Sequence, residues 1–182
     1  MVPIRVAESG VEPVSVAELR LYLRLDPDEH AEDGLLADLV AAARAGLEAE
    51  SRRILRPATF RLVLPAWPRG WMPVPLSPLV GVARLALSDA GGATPLDPGL
   101  VRLGDDPVEA PCLAVGSGVP DTGGRSVLIE LWAGYGGDGP ALPPPLRLAV
   151  LRLAAARYEH RGDEPEAPDP AVFAAPFRRL RL

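Results

Sequence analysis

Residues 146–161 are apolar nearly all the way round: Leu146, Leu148, Ala149, Val150, Leu151, Leu153, Ala154, Ala155 and Ala156 leave almost no polar stripe. A helix with one apolar stripe needs one neighbour, whereas a helix like this must be covered on several sides. In a chain of 182 residues, the pattern predicts that a neighbouring subunit supplies part of that cover. Leu148, Leu151, Ala155 and Tyr158 are the residues expected at that subunit interface. Pro143-Pro144-Pro145 open the helix, and His160, Arg161 and Gly162 suit its end.

The rest of the chain divides around this helix. Residues 1–13 read as an extended arm. Ser15-Val16-Ala17-Glu18 is a capping box, with Val14 and Leu19 placed to staple it, and it predicts a short helix to about Leu25, stopped by Asp26-Pro27. Leu36, Leu39, Val40, Ala43, Leu47 and Ile54 predict a second helix from about Glu32 to Arg53. Its other face is Ala-rich and charged, with Glu48 and Arg52 spaced for an i,i+4 pair. The period then changes to two. Residues 59–64, 80–87, 100–103, 112–115 and 127–131 read as strands, separated by turns such as Asp89-Ala90-Gly91-Gly92 and Gly104-Asp105-Asp106-Pro107. The predicted fold class is α+β: a helical core of two N-terminal helices and a C-terminal helix, an inserted small β-subdomain and an extended C-terminal tail. The boundaries are 1–57 for arm and helices, 58–132 for the β insertion, 133–162 for the turn and last helix, and 163–182 for linker and tail.

Composition removes several classes of function. The net charge is -5 and the pI about 5.1, which gives no electrostatic footprint for wrapping nucleic acid. All 19 basic residues are Arg, each a permanent fork-shaped donor suited to carboxylates. The single cysteine, Cys112, excludes an internal disulfide and a multi-cysteine metal site, and reads as a small apolar strand residue. No apolar run is long enough for a membrane span, and the first residues do not read as a signal peptide. An intracellular or virion setting is expected.

No catalytic constellation emerges. Gly134-Tyr135-Gly136-Gly137-Asp138-Gly139 matches G-x-G-x-x-G after a strand. A dinucleotide site also needs a helix opening on the third glycine, and Pro140 to Pro145 intervene. Asp121-Thr122-Gly123 has the aspartic protease triplet in a polar loop, without the apolar strands that bury a dyad. His30 and His160 have no partner at ligand or acid–base spacing, and Ser117 lacks a strand–elbow–helix setting. Trp67, Trp71 and Trp132 read as core or packing residues. No catalytic residue, cofactor or metal is expected.

The tail is the most suggestive segment. Asp163 to Pro170 is an acidic, proline-rich spacer, followed by Val172, Phe173, Phe177, Arg178, Arg179, Leu180, Arg181 and Leu182. Apolar anchors interleaved with guanidinium groups are built to dock on another protein.

The chain resembles the head–tail connector, or adaptor, proteins of long-tailed phages and gene transfer agents, in the branch with a β insertion. The resemblance runs through Pro13-Val14-Ser15-Val16-Ala17-Glu18-Leu19 with Tyr22-Leu23-Arg24-Leu25, and residues 36–43 with Leu47-Glu48. It continues in Pro75-Leu76-Ser77-Pro78-Leu79, Ala133-Gly134-Tyr135-Gly136, residues 144–150, Ala156-Arg157-Tyr158-Glu159-His160-Arg161 and the terminal Pro176-Phe177-Arg178-Arg179. It implies a non-enzymatic protein that assembles beneath the portal as a ring of about twelve subunits. Such a ring extends the channel for double-stranded DNA without binding it specifically, and offers a platform for the next neck or tail component. It is assembled in the bacterial cytoplasm and resides in the neck of the particle. The resemblance places portal docking on residues 172–182. Alternatives are a neck-stopper or tail-terminator ring, or a small nucleotide-binding enzyme using the Gly134–Gly139 turn or Asp121.

Overall fold

The computed structural model describes residues 2–162 and 168–178. The fold is α+β and divides into two units, each built from non-contiguous segments: residues 1–10 with 56–140, and residues 11–55 with 141–182.

The first unit holds the sheets. A five-stranded antiparallel sheet has the order β1 (Ile4–Glu8), β2 (Ala58–Leu64), β8 (Ser126–Ala133), β4 (Leu79–Asp89), β5 (Gly92–Leu96). A three-stranded sheet has β3 (Met72–Pro73), β7 (Cys112–Val115) and β6 (Val101–Leu103). Alternation decides which face is core. Phe60, Leu62 and Leu64 oppose Leu131, Ile129 and Val127, which in turn meet Leu85 and Leu87 of β4. All eight side chains are buried. The other face carries Arg61 and Arg84 on either side of Glu130, and Trp132 beside Gly81. Arg61 Nη2 donates to Glu130 Oε1 at 2.7 Å.

Residues 4–8, expected within an arm of the helical part, instead form β1 at the edge of this sheet. Ile4-Arg5-Val6-Ala7-Glu8 does alternate, and Arg5 covers the Phe60 ring at 5.2 Å. The turn expected at residues 89–92 closes the β4–β5 hairpin, with Asp89 Oδ1 accepting the Gly91 amide at 2.8 Å.

The second unit holds the helices α1 (Val16–Leu23), α2 (Asp33–Ser51), α3 (Pro144–Glu159) and the short α4 (Pro170–Ala174), which runs into a 3₁₀ turn at Ala175–Phe177. The capping box forms: Ser15 Oγ accepts the Glu18 amide at 3.2 Å while Glu18 Oε2 accepts the Ser15 amide at 2.9 Å. Val14 and Leu19 are buried beside it. Both α1 and α2 end on a left-handed residue, Arg24 and Arg52.

The charged face of α2 differs from the sequence expectation. Arg52 is that left-handed cap, and Glu48 pairs with Arg44 instead, both buried. Arg44 Nε donates to Glu12 at 2.8 Å, and Glu48 Oε1 accepts the Leu55 amide at 2.8 Å. One buried ion pair therefore fastens both the segment entering α1 and the segment leaving α2.

Candidate docking surface

Residues 170–177 are folded, as α4 and the 3₁₀ turn that follows it. Asp169 Oδ1 accepts the Ala171 amide at 2.8 Å and Pro170 occupies the first turn, so α4 starts with both standard N-terminal devices. Its seat is on α2. Gly46 leaves room for Pro170: a Cβ there would lie 3.0 Å from Pro170 Cγ. Ala174 is fully buried. Phe173 is half-buried beneath the Arg152 guanidinium, 5.9 Å from the ring centre. Arg53 Nε donates to the Phe177 carbonyl at 3.0 Å, and Arg178 pairs with Glu50. An extended tail held away from the body is therefore not what residues 170–178 form. The remaining expected anchors, Arg179, Leu180, Arg181 and Leu182, lie outside the described residues, as does most of the acidic spacer.

Burial along the segment is one-sided. Ala174 is buried and Ala171, Phe173 and Phe177 are half-buried, whereas Val172, Ala175, Pro176 and Arg178 face outward. Val172 is 71% exposed.

On α3 the expected interface residues separate. Leu148 is 48% exposed and Leu151 half-buried, but Ala155 is buried inside its own unit. The Tyr158 hydroxyl donates to Glu32 at the start of α2, and Arg161 lies 3.3 Å from the same carboxylate with its guanidinium 4.2 Å from the Tyr158 ring. The Tyr158 hydroxyl, with help from Arg161, holds the Glu32 carboxyl below its usual range. Hydrogen bonding to Tyr158, ahead of the Glu32 charge, raises Arg161. Much of the cover demanded by the all-round apolar pattern thus comes from within the chain, and Leu148 is the clearest part left outside.

The sequence motifs that hinted at catalysis have structural roles. The Gly134–Gly139 turn borders a shallow groove of about 280 Å³ in the sheet unit, with Pro57, Val80 and Trp132 among its walls. No helix opens on it; Gly134 has φ +122° and its position for a Cβ is 2.7 Å from the Arg56 carbonyl oxygen, so the glycine is needed for close backbone packing. Asp121 Oδ1 accepts the Gly123 amide at 2.7 Å, an ordinary Asx turn. His30 Nδ1 lies 2.9 Å from Asp33, and His160 caps α3 in the open. Among the described residues, no three His, Cys, Asp or Glu side chains converge as metal ligands, and no helix is long and apolar enough to cross a membrane.

The tryptophans are less buried than the sequence suggests. Trp67 donates its indole N–H to the Pro120 carbonyl at 2.8 Å. Trp71 and Trp132, however, are 53% and 50% exposed. Trp71 is stacked with Arg102, and Trp132 lies over Gly81. The seat of α4, formed by Gly46, Glu50, Arg53 and Arg152, escaped sequence reasoning; the one available signal was a glycine on the otherwise Ala-rich face of α2.

No family model matches the chain, and neither does any curated protein. Solved structures do. The chain is similar to a component of the neck of an empty gene transfer agent particle, computed with C6 symmetry, at 33% identity and TM-score 0.79, over 100% of this chain and 97% of that one. It is similar to a chain of the virion of a native gene transfer agent particle at 34% identity and TM-score 0.78, with the same coverage. A third match, the neck of a native particle computed with C12 symmetry, has 33% identity and TM-score 0.73. Identity at this level over the whole length, together with the helical frame and its sheet unit, establishes that the chain belongs to the head–tail connector family of gene transfer agent necks.

Proposed function

We propose that this chain is a head–tail adaptor: a structural, non-enzymatic subunit of a ring of about twelve copies beneath the portal, through which DNA passes. The observation that carries the reading is the end-to-end likeness to neck components of particles solved with C12 and C6 symmetry. In this reading the protein resides in the particle neck after assembly in the cytoplasm. The helical unit faces its neighbours in the ring through Leu148 and the half-buried Leu151, and the C-terminal segment from Val172 onward meets the portal. The next neck or tail component is received elsewhere on the ring.

The six-fold symmetry of one similar neck keeps a second reading, a neck-stopper ring, in view. Imaging necks of particles that carry this chain separates the two. Twelve copies adjoining the portal are expected. Six copies farther from the head would replace the adaptor reading with the stopper, and a single copy or ring density only at the tail tube would end both.

A further inference from the structure

We infer that residues 2–10 form a strap along the edge of the five-stranded sheet, latched by Arg56, that opens as a unit while the rest of the sheet stays folded.

The strap has little apolar hold. Pro3 and Arg5 are half-buried, and every other residue from Val2 to Gly10 is exposed, Ile4 at 59%. Its ladder to β2 is interrupted: Arg5 faces Phe60 and Ala7 faces Thr59, which leaves Val6 as an extra, bulged residue. No hairpin fixes the register, because the partner strand lies about fifty positions away. The middle of the sheet is different, with Leu62, Leu85, Ile129 and Leu131 fully buried. A segment with few buried apolar contacts opens at a fraction of the free energy that unfolds a core.

What holds the strap is polar and converges on Arg56 and Pro57. Arg56 Nη1 donates to Glu8 Oε2 at 3.1 Å, and its Nε and Nη2 donate to the Gly10 carbonyl oxygen at 3.3 and 3.1 Å. The Ser9 amide donates to the Pro57 carbonyl at 2.9 Å, and the Ser9 hydroxyl to the same oxygen at 3.3 Å. One guanidinium thus spans the end of the strap, and Gly10, at φ +74°, turns the chain away just beyond it. Arg56 itself sits on a fixed base, since its carbonyl oxygen lies 2.7 Å from the Cβ position of Gly134. The latch stays and the strap moves.

Opening changes two features of the sheet unit. It leaves the outer edge of β2 without a partner, and an uncovered edge is a template for pairing with another chain. It also strips one wall from the groove beside Trp132, which Ser9 helps to line. The closed latch keeps both covered.

Native-state hydrogen exchange on the full chain tests this, read at the Ser9 amide and at the amides of β8 in low denaturant. In the unaltered protein Ser9 is expected to be at least about tenfold less protected than β8, with exchange independent of denaturant. Arg56→Ala is expected to speed Ser9 about three- to tenfold further and to leave β8 within about twofold. Glu8→Gln, which keeps the shape of the latch but removes its charge, is expected to give a smaller change in the same direction. Ser9 exchanging at the β8 rate with the same denaturant slope would show that the strap unfolds only with the sheet, and would overturn the inference. So would unchanged Ser9 exchange in Arg56→Ala, or equal acceleration of Ser9 and β8.

Discussion

At the scale of single residues, the helical unit depends on a few carboxylates. The Ser15 backbone amide, ahead of the Arg147 and Ser15 side chains, holds the Glu18 carboxyl below its ordinary value of 4.5, and Tyr158 does the same for Glu32. A carboxyl whose folded value lies below its unfolded one adds stability above the unfolded value and loses it as pH falls through the folded value. Urea midpoints should therefore fall as the pH drops below about 4.5, and Glu18→Gln should flatten that dependence. Ser15→Ala removes the acceptor for the Glu18 amide and should cost about 0.5–2 kcal/mol in the same assay. In the sheet unit, Gly134→Ala combines positive φ with a collision against the Arg56 carbonyl, and should cost about 1–3 kcal/mol or prevent folding outright. The local devices were legible in the sequence because partner and site lie three residues apart, as in Ser15–Glu18. Arg44 was not: nothing within four residues reveals that its outward-seeming charge meets Glu12, 32 positions away.

At the scale of elements, the buried Arg44–Glu48 pair joins segments that α2 alone could not hold. Arg44→Met leaves carboxylates without their guanidinium and should destabilise by about 3–5 kcal/mol, whereas Arg44→Met with Glu48→Met should cost less. Unfolding of the two variants by denaturant checks the order. The five strands with clear alternation were legible, as were three of the four helices among the described residues. β1 and β5 were not, because a five-residue edge strand acquires its meaning from a partner, and β1 pairs with β2 across about fifty positions. Met72–Pro73 is too short to signal anything. Pro170-Ala171-Val172-Phe173-Ala174 is short and proline-led, so its composition reads as tail; only the seat on α2 makes it a helix.

At the scale of the molecule, the acidic balance bears on DNA. With -5 per chain, the proposed ring of about twelve copies would carry about -60, a like charge that repels phosphate. The purified protein should show no tight, salt-sensitive DNA binding near physiological salt; a steep salt slope in fluorescence anisotropy would contradict the proposed channel role. Of the candidate site, the proline-led segment and the apolar α3 were legible in the sequence, but not which α3 side chains the chain itself covers: Ala155 is buried within its own unit and Tyr158 donates to Glu32. The division into discontinuous units also orders events in time. The chain passes between them at residues 10–11, 55–56 and 140–141. During synthesis α1 and α2 emerge soon after β1, yet α3 arrives only after the rest of the sheet unit has been made. The ribosome therefore holds a helical pair with Leu36, Val40 and Leu47 still uncovered while eighty-odd residues of sheet are completed, and this waiting period is when the nascent chain is most open to chaperones and to misassembly with its own siblings.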